Sequence, residues 1–291
     1  RLTLAGRPEM ILRIGGGALD LTRPRVMGVL NVTPDSFSDG GNNLTPASAL
    51  ASARRMAAEG ADILDIGGES TRPGARPVSA EEEKARILPV IEAIGAELTV
   101  PLSVDTSKAE VARAALEAGA VLVNDVSAGS WDPGMLPVVA EHGAGIVLMH
   151  TPARPDKMME RSDYDDLWNT LEAWFEQRLT AAHVAGIDTE ATAIDPGIGF
   201  GKTTAQNLEL LAGLDRLRAL GRPVLVGLSR KRFLGQMGGR TEPLARDDLT
   251  TAANALALAA GANIIRTHDV GRGVDAAAVA LAFGDRAAPG R

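Results

Sequence analysis

The 291-residue sequence predicts an α/β protein, a (β/α)8 barrel with a short N-terminal β-hairpin. Three observations carry this reading. Eight short runs rich in Val, Ile and Leu recur along the chain. They are apolar without alternation, as parallel strands covered by helices are. Helical spacing fills the stretches between them, and the length suits a barrel, which takes about 250 residues. A doubly wound sheet is the alternative arrangement of the same elements.

The elements follow in order. Leu2–Leu4, Met10–Ile14 and Leu19–Leu21 are strand candidates separated by glycine-containing turns, a hairpin region (1–25) placed to plug the barrel bottom. The strands are Val26–Asn31, Ile63–Gly67, Leu102–Asp105, Val121–Asp125, Ile146–His150, Ala193–Asp195, Val224–Gly227 and Ile264–His268. Pro46–Glu59 carries Leu50, Ala53, Met56 and Ala57 at helical spacing. Ala80–Gly95 follows Ser79, with Glu82 three residues on in a capping-box pattern. Ser107–Gly119 ends on a glycine suited to a C-cap. Asp163–Gly186 bears Leu167, Trp168, Leu171, Trp174, Phe175 and Leu179 as an apolar stripe, read as core. Asp248–Gly261 and Val274–Phe283 close the series. One domain spans 1–291, with the barrel over 26–284 and a frayed tail at 285–291.

Composition removes several function classes. Cysteine is absent, which excludes disulfides, zinc thiolates, iron–sulfur clusters and a cysteine nucleophile. The net charge of −7 argues against a generally basic nucleic-acid surface, while leaving room for a local cationic pocket. Four His residues form no HxH or HExxH pair, against a His-built metal site. Nothing resembles a membrane span or a signal core, so a cytoplasmic location is expected. With five Phe, three Trp and one Tyr, a flat ligand must be held mainly by polar groups.

The informative feature is where the polar residues fall. Nearly every strand ends on one: Asn31, Asp65, Asp105, Asn124 with Asp125, His150, Asp195, Ser229 to Lys231, and Arg266 with His268. In a barrel these ends form one mouth, where the chemistry sits. An Asp after a strand is often a helix cap, and Asp65 and Asp125 are read that way. Two loops rich in turn residues overhang the mouth: Asn31 to Gly41, containing Phe37, and Gly67 to Pro77. Asp195 to Lys202 has the look of a phosphate cradle, but Pro196 breaks the G-x-x-x-x-G-K-[ST] spacing. It reads better as a turn that lets a planar ligand lie against backbone, with Phe200 as a wall. Arg266 and His268 end the eighth strand, a common phosphate position in barrels. A hard cation held by oxygen remains open, with Asn31 as its candidate ligand.

These motifs resemble, in order, those of the dihydropteroate synthase family. Gly28-Val29-Leu30-Asn31-Val32-Thr33-Pro34-Asp35-Ser36-Phe37-Ser38-Asp39-Gly40-Gly41 resembles the first family signature and Gly67-Gly68-Glu69-Ser70-Thr71-Arg72-Pro73-Gly74 the second. Ser103 to Ser107, Asn124-Asp125, Asp195 to Lys202, Ser229 to Lys231 and Arg266 to Val270 match in turn, so the resemblance spans Val26 to Val279. It departs after His150, where Thr151 to Lys157 replaces the usual turn and is expected to overhang the pterin pocket.

The resemblance implies a transferase of folate biosynthesis. In it, 4-aminobenzoate displaces diphosphate from (7,8-dihydropterin-6-yl)methyl diphosphate, giving 7,8-dihydropteroate, by a dissociative path assisted by Mg2+. It implies a pterin site of Asp105, Asn124, Met149, Asp195, Phe200 and Lys231. It implies a diphosphate site of Asn31, Thr71, Arg266 and His268, with Asn31 also the metal ligand. A 4-aminobenzoate site of Phe37, Thr71, Arg72, Pro73, Ser229 and Lys231 completes the set. The catalytic residues would be Lys231, Arg266, His268, Asp105 and Asp195, in a homodimer open to sulfonamides. A pterin-binding methyltransferase domain would share Asp105, Asn124 and Asp195 but has no reason to carry a diphosphate site. An inactive scaffold has no need of every role being filled. A Schiff-base aldolase using Lys231 leaves both loops unexplained.

Overall fold

The computed structural model describes residues 10–33, 45–70, 76–155, 157–158 and 162–287. The antiparallel strands β1 (Ile11–Ile14) and β2 (Gly17–Asp20) meet at Gly15-Gly16, where Gly16 has φ +79°. This is the expected hairpin; Leu2–Leu4 lies outside the described residues. Eight parallel strands follow: β3 (Arg25–Asn31), β4 (Ile63–Gly67), β5 (Leu102–Asp105), β6 (Leu122–Asp125), β7 (Gly145–Met149), β8 (Thr192–Asp195), β9 (Leu225–Gly227) and β10 (Ile264–Thr267). Strands β3 to β8 pair in sequence, and β10 pairs with both β3 and β9. A bridge from Ile194 to Val224 joins β8 to β9 and closes the cylinder. The doubly wound alternative is thereby excluded, since an open sheet keeps two edges.

The helices are α1 (Pro46–Ala58), α2 (Ala80–Gly95), α3 (Ala109–Glu117), α4 (Met135–Glu141), α5 (Leu167–Val184), α6 (Thr204–Ala212), the short α7 (Leu214–Leu217), α8 (Arg232–Gly238), α9 (Asp247–Ala259) and α10 (Val270–Ala287). Ser79 caps α2 by accepting from the Glu82 amide, but Glu82 turns to Arg86 instead of closing the capping box. The complete box belongs to Thr203 and Gln206 at α6. In α5, Leu167, Trp168, Leu171 and Phe175 are buried, so the stripe is core. The last helix runs to Ala287, three residues into the stretch expected to be frayed.

Strand alternation sorts the core into two bodies. On one parity, Val26, Leu64, Val104, Val123, Ile146, Ile194, Val226 and Ile265 pack with the helices. On the other, Met27, Ile63, Leu122, Val147, Ala193, Leu225 and Ile264 fill the barrel interior with Leu12, Ile14, Leu19 and Leu21 of the hairpin. The hairpin therefore plugs the bottom. Its passage needs Gly145, where a Cβ would stand 2.7 Å from the Arg13 carbonyl oxygen. Two residues further along the same inward face come Asp65, Asn124, Met149, Asp195 and Arg266, with Asp105 registered beside Asn124. The interior is apolar below and polar at the mouth.

Candidate active site

Arg266 stands at the centre of that polar layer. Its Nε donates to Asp65 Oδ2 at 2.6 Å and its Nη2 to Asp105 Oδ2 at 2.6 Å. Asn124 Nδ2 donates to the same Asp65 oxygen at 2.9 Å. Asp65 is therefore no helix cap, contrary to the sequence reading. It is fully buried and bonds to two predicted site residues. Its other oxygen, Oδ1, has no partner among the described residues, nor has Ser103 Oγ on the neighbouring strand. Asp125 caps no helix either, since α4 begins after Gly134; it is structural in another way and ties a turn, accepting from the Ser127 and Gly129 amides.

Burial pushes the Asp105 carboxyl up to about 7, against the pull of Arg266 and with Asp65 adding repulsion. Burial also opposes the charge on Arg266, but Asp65 and Asp105 more than offset it and raise its pKa. A guanidinium bonded by two buried carboxylates stays charged, because losing its proton would leave both unpaired.

A second group lies across the mouth. Asp195 accepts from the Gly197 amide at 2.7 Å, and burial raises its pKa. Lys231 donates from Nζ to the Ile198 carbonyl and lies 4.6 Å from the Phe200 ring centroid. Burial lowers Lys231 to about 8, with Asp195 holding it up. Lys231, Phe200 and Asp195 thus form one wall. Met149 is buried at the end of β7, beside Asp195 in register.

The third group links three strand ends. Ser229 Oγ lies 2.8 Å from His268 Nδ1 and accepts from the His268 amide at 3.2 Å. Asn31 Nδ2 lies 3.4 Å from His268 Nε2. Ser229 therefore stands with His268, separate from the Lys231 wall. Its neighbour Arg230 has φ +60°, a left-handed conformation uncommon outside glycine. Asp247 takes the Arg230 side chain, and Arg246 donates to the Arg230 carbonyl at 2.8 Å, so the turn is held from both sides.

Phe37, Thr71, Arg72 and Pro73 lie outside the described residues. The base of the second loop is described and firmly held. Glu69 accepts from the Val78 amide and from Lys108, which also bonds the buried Glu83, while Arg86 donates to the Gly68 carbonyl. The Thr151 to Lys157 stretch packs on the Asp195–Lys202 turn, where Pro152 meets Gly201, and Arg154 stacks on Trp131 at 4.7 Å.

No group of three or more His, Asp or Glu that could cage a metal occurs among the described residues. Asn31 Oδ1 and Asp105 Oδ2 nevertheless both face Gly67, each 3.7 Å from where a Cβ would stand, with Asp105 Oδ2 also accepting from Arg266. A site with so few protein oxygens suits Mg2+ only as an ion that keeps most of its positions for substrate oxygens and water, with Asn31 Oδ1 as the residue that would hold it.

A closed barrel with carboxylates, an amide and buried cations at its mouth defines a barrel enzyme for a polar ligand with many hydrogen-bonding groups. The model of the pterin binding enzyme family matches residues 27–268. The chain is 47% identical over 248 residues to a dihydropteroate synthase of Synechocystis, covering 85% of this chain and 86% of that protein. A dihydropteroate synthase of Xanthomonas albilineans solved with 4-aminobenzoic acid has a TM-score of 0.88 at 50% identity, covering 95% of this chain and 98% of that one. Its complex with 7,8-dihydropteroate gives 0.85 at 49% identity, with 94% and 98% covered. The chain belongs to the dihydropteroate synthase family, whose members are transferases. Among the described residues no helix is long and apolar enough to cross a membrane.

Proposed function

We propose that this chain condenses (7,8-dihydropterin-6-yl)methyl diphosphate with 4-aminobenzoate, releasing diphosphate and 7,8-dihydropteroate, by a dissociative displacement assisted by Mg2+. The observation that supports it most is one rim carrying both halves of the task. Asp105, Asn124, Asp195 and Lys231 offer acceptors and a donor for a pterin edge. Arg266, His268 and Asn31 stand on the adjoining strand ends.

The pterin ring lies against Met149 and Phe200, with its N–H edge on Asp195 and Asn124 and its carbonyl side on Lys231. Each ring donor left unpaired in such a pocket would cost about 1–3 kcal/mol, so these bonds select the pterin. Arg266, fixed by two carboxylates, presents its remaining N–H groups to developing negative charge without reorganising. His268, oriented by Ser229, adds a donor to the leaving group. When bound on Asn31 Oδ1, Mg2+ supplies charge neutralisation to the diphosphate. As the C–O bond breaks, its electron pair leaves with diphosphate and the electron-rich dihydropterin spreads the positive charge. The arylamine nitrogen then attacks the methylene carbon and loses its proton to water. An arylamine is already a competent nucleophile and needs no strong base. Phe37, Thr71, Arg72 and Pro73 of the two loops, with Ser229, complete the aminobenzoate side and exclude water from the cation. The homodimer expected for the family finds support in exposed Leu256, Val279 and Phe283 on α9 and α10.

The test is diphosphate release by the purified chain with both substrates and Mg2+, each omitted in turn. Release coupled one-to-one to dihydropteroate, and suppressed by chelator, is expected. Pterin binding without release would point to an inactive paralogue or the methyltransferase branch. Arg266→Ala should raise the KM for the diphosphate substrate more than that for 4-aminobenzoate; equal effects refute its diphosphate role.

A further inference from the structure

The mechanism leaves one buried cation at the mouth without a task. Lys202 is only 4% exposed. Its Nζ donates to the carbonyls of Gly197 and Phe200, each at 3.1 Å, and faces His150 Nδ1 at 3.1 Å. Burial, ahead of Lys202 itself, pushes His150 down to about 2, so its ring is neutral and Nδ1 can accept. That ring is fixed in turn, edge-on to Trp174 at 5.6 Å and 6.0 Å from Tyr164. Burial lowers Lys202 to about 7, with Asp195 holding it up; when it is an ammonium, its three protons are met by acceptors from two segments, the end of β7 and the Asp195–Lys202 turn.

The turn's shape has to be set by contacts, and Lys202 supplies those that converge on its middle. Gly197, Gly199 and Gly201 all have positive φ, at 64°, 83° and 55°. Such a sequence loses much conformational entropy on ordering and adopts one shape only if side chains hold it. Besides Lys202, Asp195 ties the Gly197 amide, Asn207 ties the Gly199 amide at 2.7 Å and donates to the Lys202 carbonyl at 3.2 Å, Tyr164 donates to the Gly201 carbonyl at 3.2 Å, and the Phe200 amide donates to the Gly197 carbonyl at 3.0 Å. Of these side chains only Lys202 also reaches across to the end of β7. The shape matters because the turn presents the two groups that place Lys231: the Ile198 carbonyl and the Phe200 ring. Lys202 bonds the carbonyls of Gly197 and Phe200, the residues at either end of that presentation.

We propose that Lys202 is a positioning residue for the pterin end of the site: by tying Gly197 and Phe200 to His150, it fixes the Ile198 carbonyl and the Phe200 ring against which the Lys231 ammonium is set. The inference rests on the assignment of Lys231 and Phe200 to the pterin. The charged and titratable groups facing Lys202 are Asp195 and Lys231, with neutral His150 beside it. Lys202 lowers the Asp195 pKa, so loss of its charge carries a second, electrostatic mark.

The test uses the full chain with Lys202→Met, which removes charge and donors, and Lys202→Arg, which keeps the charge but not the three convergent bonds. The probe is pterin-6-carboxylate, followed by its own fluorescence. Misplacement by a fraction of an ångström should weaken pterin binding about tenfold or more in Lys202→Met and several-fold in Lys202→Arg, while the KM for 4-aminobenzoate moves less than about twofold. The acid limb of pterin binding should move to higher pH in Lys202→Met alone, since Asp195 loses a neighbouring cation and protonates more easily. A folded variant of either kind with pterin affinity within about twofold of the parent overturns the proposal. So does failure of both variants to fold, which would make Lys202 a determinant of the barrel and not of the site. Lys231→Met separates the two readings. If it leaves pterin affinity intact, the pterin assignment fails; if it weakens binding and the Lys202 variants do not, only the positioning role fails.

Discussion

Asp65→Asn tests how the mouth is organised. The substitution keeps the side-chain volume and removes one negative charge. Asp65 Oδ2 accepts from both Arg266 Nε and Asn124 Nδ2, and Oδ1 accepts from no described residue. An amide can therefore place its oxygen at the Oδ2 position and keep both bonds, now without charge. Charge-assisted bonds are roughly twice as strong as neutral ones, so each should lose about 0.5–1.5 kcal/mol. Against that loss stands the relief of no longer burying a charge, worth about 1–3 kcal/mol, while the amide NH2 takes the place of the unmet Oδ1. Global stability in urea should therefore change by no more than about 2 kcal/mol. The site should suffer more. Arg266 and Asn124 lose the anion that orients them, and pterin affinity should fall about 10- to 100-fold, or roughly 1.4–2.8 kcal/mol. The Asp105 carboxyl should titrate lower than about 7, because a repelling neighbour is gone. Denaturation gives the first quantity, pterin fluorescence titration the second, and carboxyl NMR the third. Unchanged pterin affinity in a folded variant would refute the claim that Asp65 organises Arg266 and Asn124.

Two further outcomes follow from local geometry. In Gly199→Ala the new Cβ would stand 2.6 Å from Lys231 Cδ at a φ of +83°, so Lys231 must move; pterin affinity should drop with the fold intact, and a normal affinity would show that Lys231 is not held there. For His150, burial depresses the folded pKa to about 2, below an unfolded value near 6.5. Its contribution to stability is therefore complete above about pH 6.5 and is lost as pH falls towards 2. His150→Gln, which can keep an acceptor for Lys202, should remove up to about 1.4 kcal/mol per pH unit of acid sensitivity between pH 6 and 4. Parallel denaturation series for parent and variant check this, and identical slopes would mean His150 titrates normally.

The errors in reading the sequence share one cause. Asp105 ends its strand and Asp65 stands two residues before the end of its own, and nothing local separates a structural Asp from a site residue. The difference lies in which face each side chain takes and what stands opposite, and the Arg266 that bonds both comes about 200 and 160 positions later. Lys202 was visible only as part of an unconvincing phosphate motif. Its partner His150 lies 52 positions away, and their pairing needs β7 and β8 to be adjacent. Four of the helices were not read from the sequence: α4, α7 and α8 had too few turns to show a period, and α6 was missed although Thr203 and Gln206 form a capping-box pattern at its start.

What the sequence by itself determined is the eight barrel strands, six of the helices and the character of the mouth. Short uninterrupted apolar runs of this length read as strands covered on both faces, and the polar residues at nearly every run's end share one rim once those strands are parallel. The Asn31, Gly67–Gly74, Asp195–Lys202 and Arg266–His268 motifs identified the family because so many polar positions in order are not produced by packing requirements. What only the tertiary structure decided is closure and pairing. The β8–β9 bridge turns a sheet into a cylinder. Closure then brings β10 against β3, so that Arg266 reaches Asp65 and Asp105 and His268 reaches Asn31. A buried charge selects its partners by distance in three dimensions and by the loss of water around it, and neither quantity is written in the spacing of residues along a chain.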